Sequence, residues 1–147
     1  HMQASFGNTR LNTVTLAGEY IDYKKILPSS FQTMAKVERT ALQDAIDRAS
    51  LMAREGKNNL IRMNLSEGNM QVSSNAEMGD VQEDISCELQ GEPIEIAFNA
   101  KYISDVIRNI TDDSMCMRFN SNVSPCVVCP PEGEAYLYLI LPVRVFQ

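Results

Sequence analysis

The sequence predicts an α+β domain built on a mainly antiparallel sheet. Three observations carry that prediction. Helical periodicity is confined to two segments, and short turns join the strands around them, in the order strand, helix, four strands, helix, three strands. The two halves share one grammar: residues 31–65 run strand, helix, strand, and residues 94–119 do so again. The last stretch, Ala135 to Gln147, holds a continuous apolar and aromatic run that Pro142 arrests by removing a backbone donor. A pseudo-twofold pair of units, with two helices on one face of a curved sheet, satisfies all three.

Taken in order, His1-Met2 reads as a cloning remnant and is set aside. Residues 6–17 alternate in part through Leu11, Val14 and Leu16, which predicts a strand ended by Gly18. Residues 19–28 predict a short irregular or 3₁₀ connector, and Pro28-Ser29-Ser30 is the predicted boundary. Residues 3–28 then form the end of a preceding domain, and residues 29–147 the C-terminal domain. Phe31 to Val37 reads as a strand. Leu42, Ala45, Ile46, Ala49 and Met52 share one stripe of a helix over 39–54. Glu38, or a capping box from Thr40 to Gln43, starts that helix, and Gly56 stops it. Asp44, Asp47, Arg48 and Arg54 fall on its solvated face.

Ile61, Met63 and Leu65 alternate, Glu67-Gly68-Asn69 turns the chain, and Met70 and Val72 continue the pattern. After a turn near Gly79-Asp80 come Val81, Ile85, Cys87 and Leu89, then a turn at Gly91-Glu92-Pro93. Ile94, Ile96 and Phe98 show strict period-two spacing, as in a half-buried strand. Asn99 is placed to cap a helix over 100–110, with Tyr102, Ile103, Val106, Ile107 and Ile110 as its stripe. Met115, Met117 and Phe119 alternate again. The cysteine strand 126–129, a turn at 131–133 and the terminal strand complete the domain. Tyr136 to Leu141 has no polar alternation, which predicts cover on both faces.

Composition narrows the function. At 147 residues the chain suits one domain with a full core, and a net charge of −6 argues against a purely electrostatic nucleic-acid binder. His1 is the only histidine, so Ser and Cys nucleophiles lack an imidazole partner. No Gly-rich phosphate loop follows a strand. The carboxylate pairs Glu83-Asp84 and Asp112-Asp113 sit in turns or on a polar strand face. Cys126 and Cys129 have C-x-x-C spacing, but in a β-branched run with no helix behind it, which predicts reduced, buried thiols. The reading is a binding module: no enzyme, no cofactor and no metal. Without a span of membrane length or a signal peptide, it is placed in the cytoplasm. Its functional content then lies in a surface groove. The tail Val143-Arg144-Val145-Phe146 either frays or forms one wall of a peptide-binding pocket.

Four stretches resemble a known family. They are Asp22-Tyr23-Lys24-Lys25-Ile26-Leu27-Pro28, Ala45 to Leu51, Phe98-Asn99-Ala100-Lys101-Tyr102-Ile103 with Asp105-Val106, and Leu139-Ile140-Leu141-Pro142-Val143-Arg144. In this order, and with the last near the chain end, they are similar to domain three of the bacterial sliding clamp, the beta subunit of DNA polymerase III. The resemblance implies a clamp fold and a part in a head-to-tail, two-chain ring around duplex DNA. Such a ring tethers polymerases and takes short peptide motifs of polymerase subunits, clamp loader and repair proteins.

The resemblance also implies site residues. The peptide pocket would take Lys25 and Ile26 from the connector, Asn99 and Tyr102 from the second helix start, and Val123 and Pro125 from the loop before the cysteine strand. Leu139, Ile140, Leu141, Pro142, Val143 and Arg144 would complete it, and Phe146 would fold over it or crowd it. Arg48, Arg54, Lys101 and Arg108 would face DNA, and Leu51 and Met52 would lie near the subunit contact. Two other readings stay open from the residues alone: an unrelated α+β interaction module with no DNA role, and a thiol redox enzyme using Cys126 and Cys129.

Overall fold

The structure, a computed structural model, describes residues 1–55, 59–77 and 79–145. Gly56 as helix stop and Phe146-Gln147 as groove cover lie outside those residues. Met2–Phe6 (β1) and Thr9–Thr13 (β2) pair as a separate hairpin turned at Gly7, whose φ of 58 a side chain would resist. This corrects the single strand expected over 6–17. Gly7 breaks that segment in two, and Met2, set aside as a remnant, pairs with Thr13. The expected 3₁₀ connector is present at Tyr23–Lys25, started by Asp22, whose carboxylate accepts from Lys24 N–H at 3.3 Å.

The remaining strands are Thr33–Glu38 (β3), Leu60–Ser66 (β4), Asn69–Ala76 (β5), Gly79–Gly91 (β6), Ile94–Asn99 (β7), Ser114–Phe119 (β8), Cys126–Cys129 (β9) and Tyr138–Ile140 (β10). They form one antiparallel sheet in the order β10-β9-β8-β3-β6-β5-β4-β7. The long strand β6 joins its halves, pairing with β5 through residues 79–86 and with β3 through 87–91. Helices α1 (Arg39–Glu55) and α2 (Ala100–Arg108) pack together on the core face. The predicted element order is therefore the observed one.

Period two explains the core. Ile61, Met63, Leu65, Met70, Val72, Ile96, Phe98, Met115, Met117 and Phe119 point inward onto Leu42, Ile46, Ile103 and Ile107 of the helices. Two expectations fail at the edges. The terminal strand is three residues long, pairs only with β9, and leaves Leu137 and Leu141 exposed, so the run from Tyr136 is not sealed on both faces. Hydrophobicity there reports a sheet edge, not a central strand. Tyr102, placed on the α2 stripe by spacing, is 60% exposed, because the short helix meets the core through Ala100, Ile103 and Ile107.

The two helix starts follow local chemistry. Asn99 caps α2 as expected, its Oδ1 accepting from Lys101 N–H at 3.0 Å. Of the alternatives for α1, Glu38 is the cap: its carboxylate accepts from Thr40 N–H at 3.0 Å, Ala41 N–H at 2.7 Å and the Thr40 hydroxyl. Gln43 instead accepts from Arg39 Nη1 at 3.2 Å, so no capping box forms. Those bonds, led by that of the Thr40 hydroxyl, hold the Glu38 carboxyl below its ordinary 4.5. A depressed folded value stabilises the fold above the ordinary value, and the gain is lost as pH falls through the folded value. Glu38→Gln should therefore cost about 1 kcal/mol at pH 7. Urea midpoints of variant and wild type should converge as pH falls through the depressed folded value of Glu38, where its carboxyl becomes neutral like the amide.

Candidate functional site

Two residues separate Ile140 of β10, at one end of the sheet, from Val143, whose N–H donates to Ala97 O of β7, at the other end, at 2.8 Å. That span is at most about 10 Å. The tail thus draws the two sheet ends together, and a groove of about 460 Å³ lies at the seam.

Its first wall comes from β4 and β7. Ile61, Met63, Ile96 and Phe98 are committed to the core, so the pleat sends Arg62, Glu95 and Ala97 to the outer face. Arg62 Nη1 lies 3.4 Å from Glu95 Oε1 on the rim. This exposed pair contributes little stability, which leaves both charges available to a ligand. Asn122 and Val123 form the second wall, and Val143, Arg144 and Val145 the third. Arg144 has no acidic partner among the described residues. The surface is mixed: aliphatic side chains, one ion pair, and one cation awaiting an anion or carbonyl.

Of the predicted pocket residues, the groove brings together Val123, Val143 and Arg144. The others are not among its lining residues. Ile140 is 3% exposed and belongs to the core. Leu139, Pro142 and Pro125 are half-buried, while Leu141 is exposed. Asn99 is engaged as the α2 cap, and Tyr102 stands exposed beyond it. Lys25 and Ile26 lie on the connector, whose hydrogen bonds all fall within residues 22–27. Nothing in those local bonds ties the connector to the groove. Sequence reading named Val145 only as part of the tail wall, and missed Arg62, Glu95, Ile96, Ala97 and Asn122. The alternation of Ile94, Ile96 and Phe98 already placed Glu95 and Ala97 on the outer face. Only the register Arg62↔Ala97 brings in Arg62.

A second cleft, of about 310 Å³, runs between the helices. Asp47 and Arg54 of α1 face Lys101, Asp105 and Arg108 of α2 across it. Arg108 Nη2 bonds Asp47 Oδ1 at 2.9 Å, while Arg54 and Lys101 have no acidic partner among the described residues. Arg48 lies outside the cleft, its guanidinium forked onto Glu83 at 2.8 and 3.0 Å. That hydrogen-bonded pair holds the Glu83 carboxyl below its usual value. The predicted DNA-facing set therefore divides by position: Arg54, Lys101 and Arg108 line the cleft, and Arg48 lies outside it. Leu51 is exposed and Met52 half-buried, so Leu51 is not part of the core.

Cys126 and Cys129 are not placed to act as a redox pair. Cys126 belongs to the core cluster while Cys129 faces the other side of β9. Three residues apart in a strand, they are separated by about 10 Å, beyond the roughly 7 Å Cα separation a disulfide accepts. Burial pushes all four thiols up, opposite to the direction reactivity needs. Among the described residues no group of three or more His, Cys, Asp or Glu side chains is placed to hold a metal ion. No described helix is long and apolar enough to cross a membrane.

Comparison with known proteins decides the family. The family described as "DNA polymerase III beta subunit, C-terminal domain" matches residues 24–144. The chain belongs to that family. A protein named "Beta sliding clamp" from Staphylococcus aureus is 31% identical over 142 residues, 95% of this chain and 38% of its own length. Among solved structures, the DNA polymerase III beta subunit of Thermotoga maritima superposes with a TM-score of 0.84 at 31% identity, over 88% of this chain and 35% of that one. The DNA polymerase sliding clamp of Bacillus subtilis does so with a TM-score of 0.84 at 34% identity, over 89% and 35%. The α+β clamp fold, with a large antiparallel sheet and two helices, is thus shared with proteins of which this chain spans a little over a third.

Proposed function

We propose that this clamp domain contributes the C-terminal third of each subunit of a ring that encircles duplex DNA and tethers the replicative polymerase. In this reading it also binds short, extended peptide motifs of polymerase subunits, clamp loader and repair proteins, and catalyses nothing itself. Residues 3–28 are then the last hairpin and linker of a preceding clamp domain. The exposed apolar side chains Phe6 and Leu11 of that hairpin support this assignment. The ring would be a dimer working in the bacterial cytoplasm, with Leu51 and Met52 near its subunit contact. Arg54, Lys101 and Arg108 on the helix face are the proposed DNA-facing cations, and the neighbouring Asp47 and Asp105 keep that face weakly attractive, as sliding requires.

The observation that carries the peptide reading is the seam groove, where Val123 and Val143 offer aliphatic contacts beside the uncommitted Arg144. Burying one peptide Leu or Phe side chain there is worth about 1.5–3 kcal/mol. Lys25, Ile26, Asn99, Tyr102, Pro125 and Leu139 to Pro142 are proposed to contribute once a preceding domain closes the other side. The test is titration of an extended peptide bearing glutamine, leucine and phenylalanine, followed by amide shifts. Pro142→Ala combined with Arg144→Ala should weaken binding about tenfold, with the fold retained. Shifts that bypass residues 139–144 would refute the groove, and an unfolded double variant would show those two residues to be structural.

A further inference from the structure

Val123 is a valine left 54% exposed in a short loop, on the wall of the groove. An apolar side chain held in water at a fixed place needs something to hold the backbone beneath it. Ser121 does so. Its Oγ accepts from Val123 N–H at 3.3 Å and from Ser124 N–H at 3.2 Å, and shares a hydrogen bond with Ser124 Oγ at 2.8 Å. One hydroxyl thus folds residues 121–124 into a turn of the kind serine side chains build when they substitute for a backbone carbonyl. The loop is moored upstream as well: Asn120 Oδ1 accepts from Gln32 N–H at 3.1 Å. Downstream it enters β9 at the buried Cys126. With both ends fixed, the bonds of Ser121 decide where Val123 points.

We propose that Ser121 is a positioning residue for peptide binding, acting through Val123 and touching no peptide itself. The inference rests on the peptide-groove reading and names a determinant within that site. Without the Ser121 hydroxyl, the N–H groups of Val123 and Ser124 turn to water. The loop then samples several conformations, and a peptide must pay to order it.

The experiment uses this 147-residue chain and the same Gln/Leu/Phe peptide, read by methyl and amide shifts. Ser121→Ala should weaken binding about fivefold, the size of one net hydrogen bond. Ser121→Thr and Ser121→Asn, which keep an acceptor at that place, should restore it. The peptide-induced shift of the Val123 methyls should collapse in Ser121→Ala while that of Val143 persists, a split that general destabilisation does not produce. Val123→Ala should weaken binding in the wild type and add almost nothing in the Ser121→Ala background. Unchanged affinity with a retained Val123 shift in Ser121→Ala, or additive losses in the double variant, would overturn the proposal. Absence of any groove shift in the wild-type chain would instead refute the peptide reading beneath it.

Discussion

Gly91→Ala is expected to destabilise this domain more than any other single methyl addition, by about 3 kcal/mol or more. Two costs coincide at this position. Its φ of +96 lies where a side chain is strained, and a Cβ built there would sit 2.0 Å from Gln32 O and 3.1 Å from Thr33 Cα. Both are backbone atoms and cannot swing aside. Gly91 ends β6 opposite Thr33, so the clash falls where β3 and β6 pair and the two halves of the sheet are joined. Gly68→Ala is the control. Its φ of +75 is also left-handed, but nothing lies within 4 Å of the added carbon, so it should lose only about 1 kcal/mol of conformational preference. Urea unfolding of both variants gives the comparison. Equal midpoints would mean that Gln32 can retreat and that the sheet junction is softer than its geometry implies.

Phe98→Ala should cost about 3–5 kcal/mol, the usual loss for emptying an aromatic site in a core that cannot collapse around it. Phe98 is fully buried in β7, opposite Ile61. One residue on, Asn99 caps α2, and one residue back, Ala97 receives the Val143 bond. Loss of the ring therefore loosens the strand that both starts the helix and fixes the groove. The expected signature is a lowered unfolding midpoint together with weaker peptide shifts at Val143. Leu139→Ala, at a half-buried edge position, should cost far less. A Phe98 variant as stable as wild type would mean that β7 is not the organising strand of this seam.

The elements themselves were legible because each rests on local rules. Ile94, Ile96 and Phe98 alternate whatever surrounds them, Asn99 offers an acceptor to the α2 start, and the α1 stripe repeats at helical spacing. The errors share a cause. Residues 6–17 looked like one strand because partial alternation does not reveal a reversal at Gly7. Tyr136 to Leu141 looked central because apolar content cannot distinguish a buried strand from an edge. Tyr102 fitted the helical period, yet a helix of nine residues meets the core along too narrow a line to cover it. The resemblance to sliding clamps supplied Val123, Val143 and Arg144. It could not supply Arg62, Glu95 or Asn122, which arrive at the groove from distant parts of the chain.

By itself, then, the order of residues determined an α+β clamp domain, the cap of α2 and most of its inward-facing side chains. Each of these depends on periodicity or on the near neighbours of one residue. Only the tertiary structure decided that the tail crosses from β10 to β7 and that Arg62 and Val123 face one cavity. Those outcomes depend on strand register and sheet curvature. Both are settled by contacts between residues far apart in the chain, which no local pattern records.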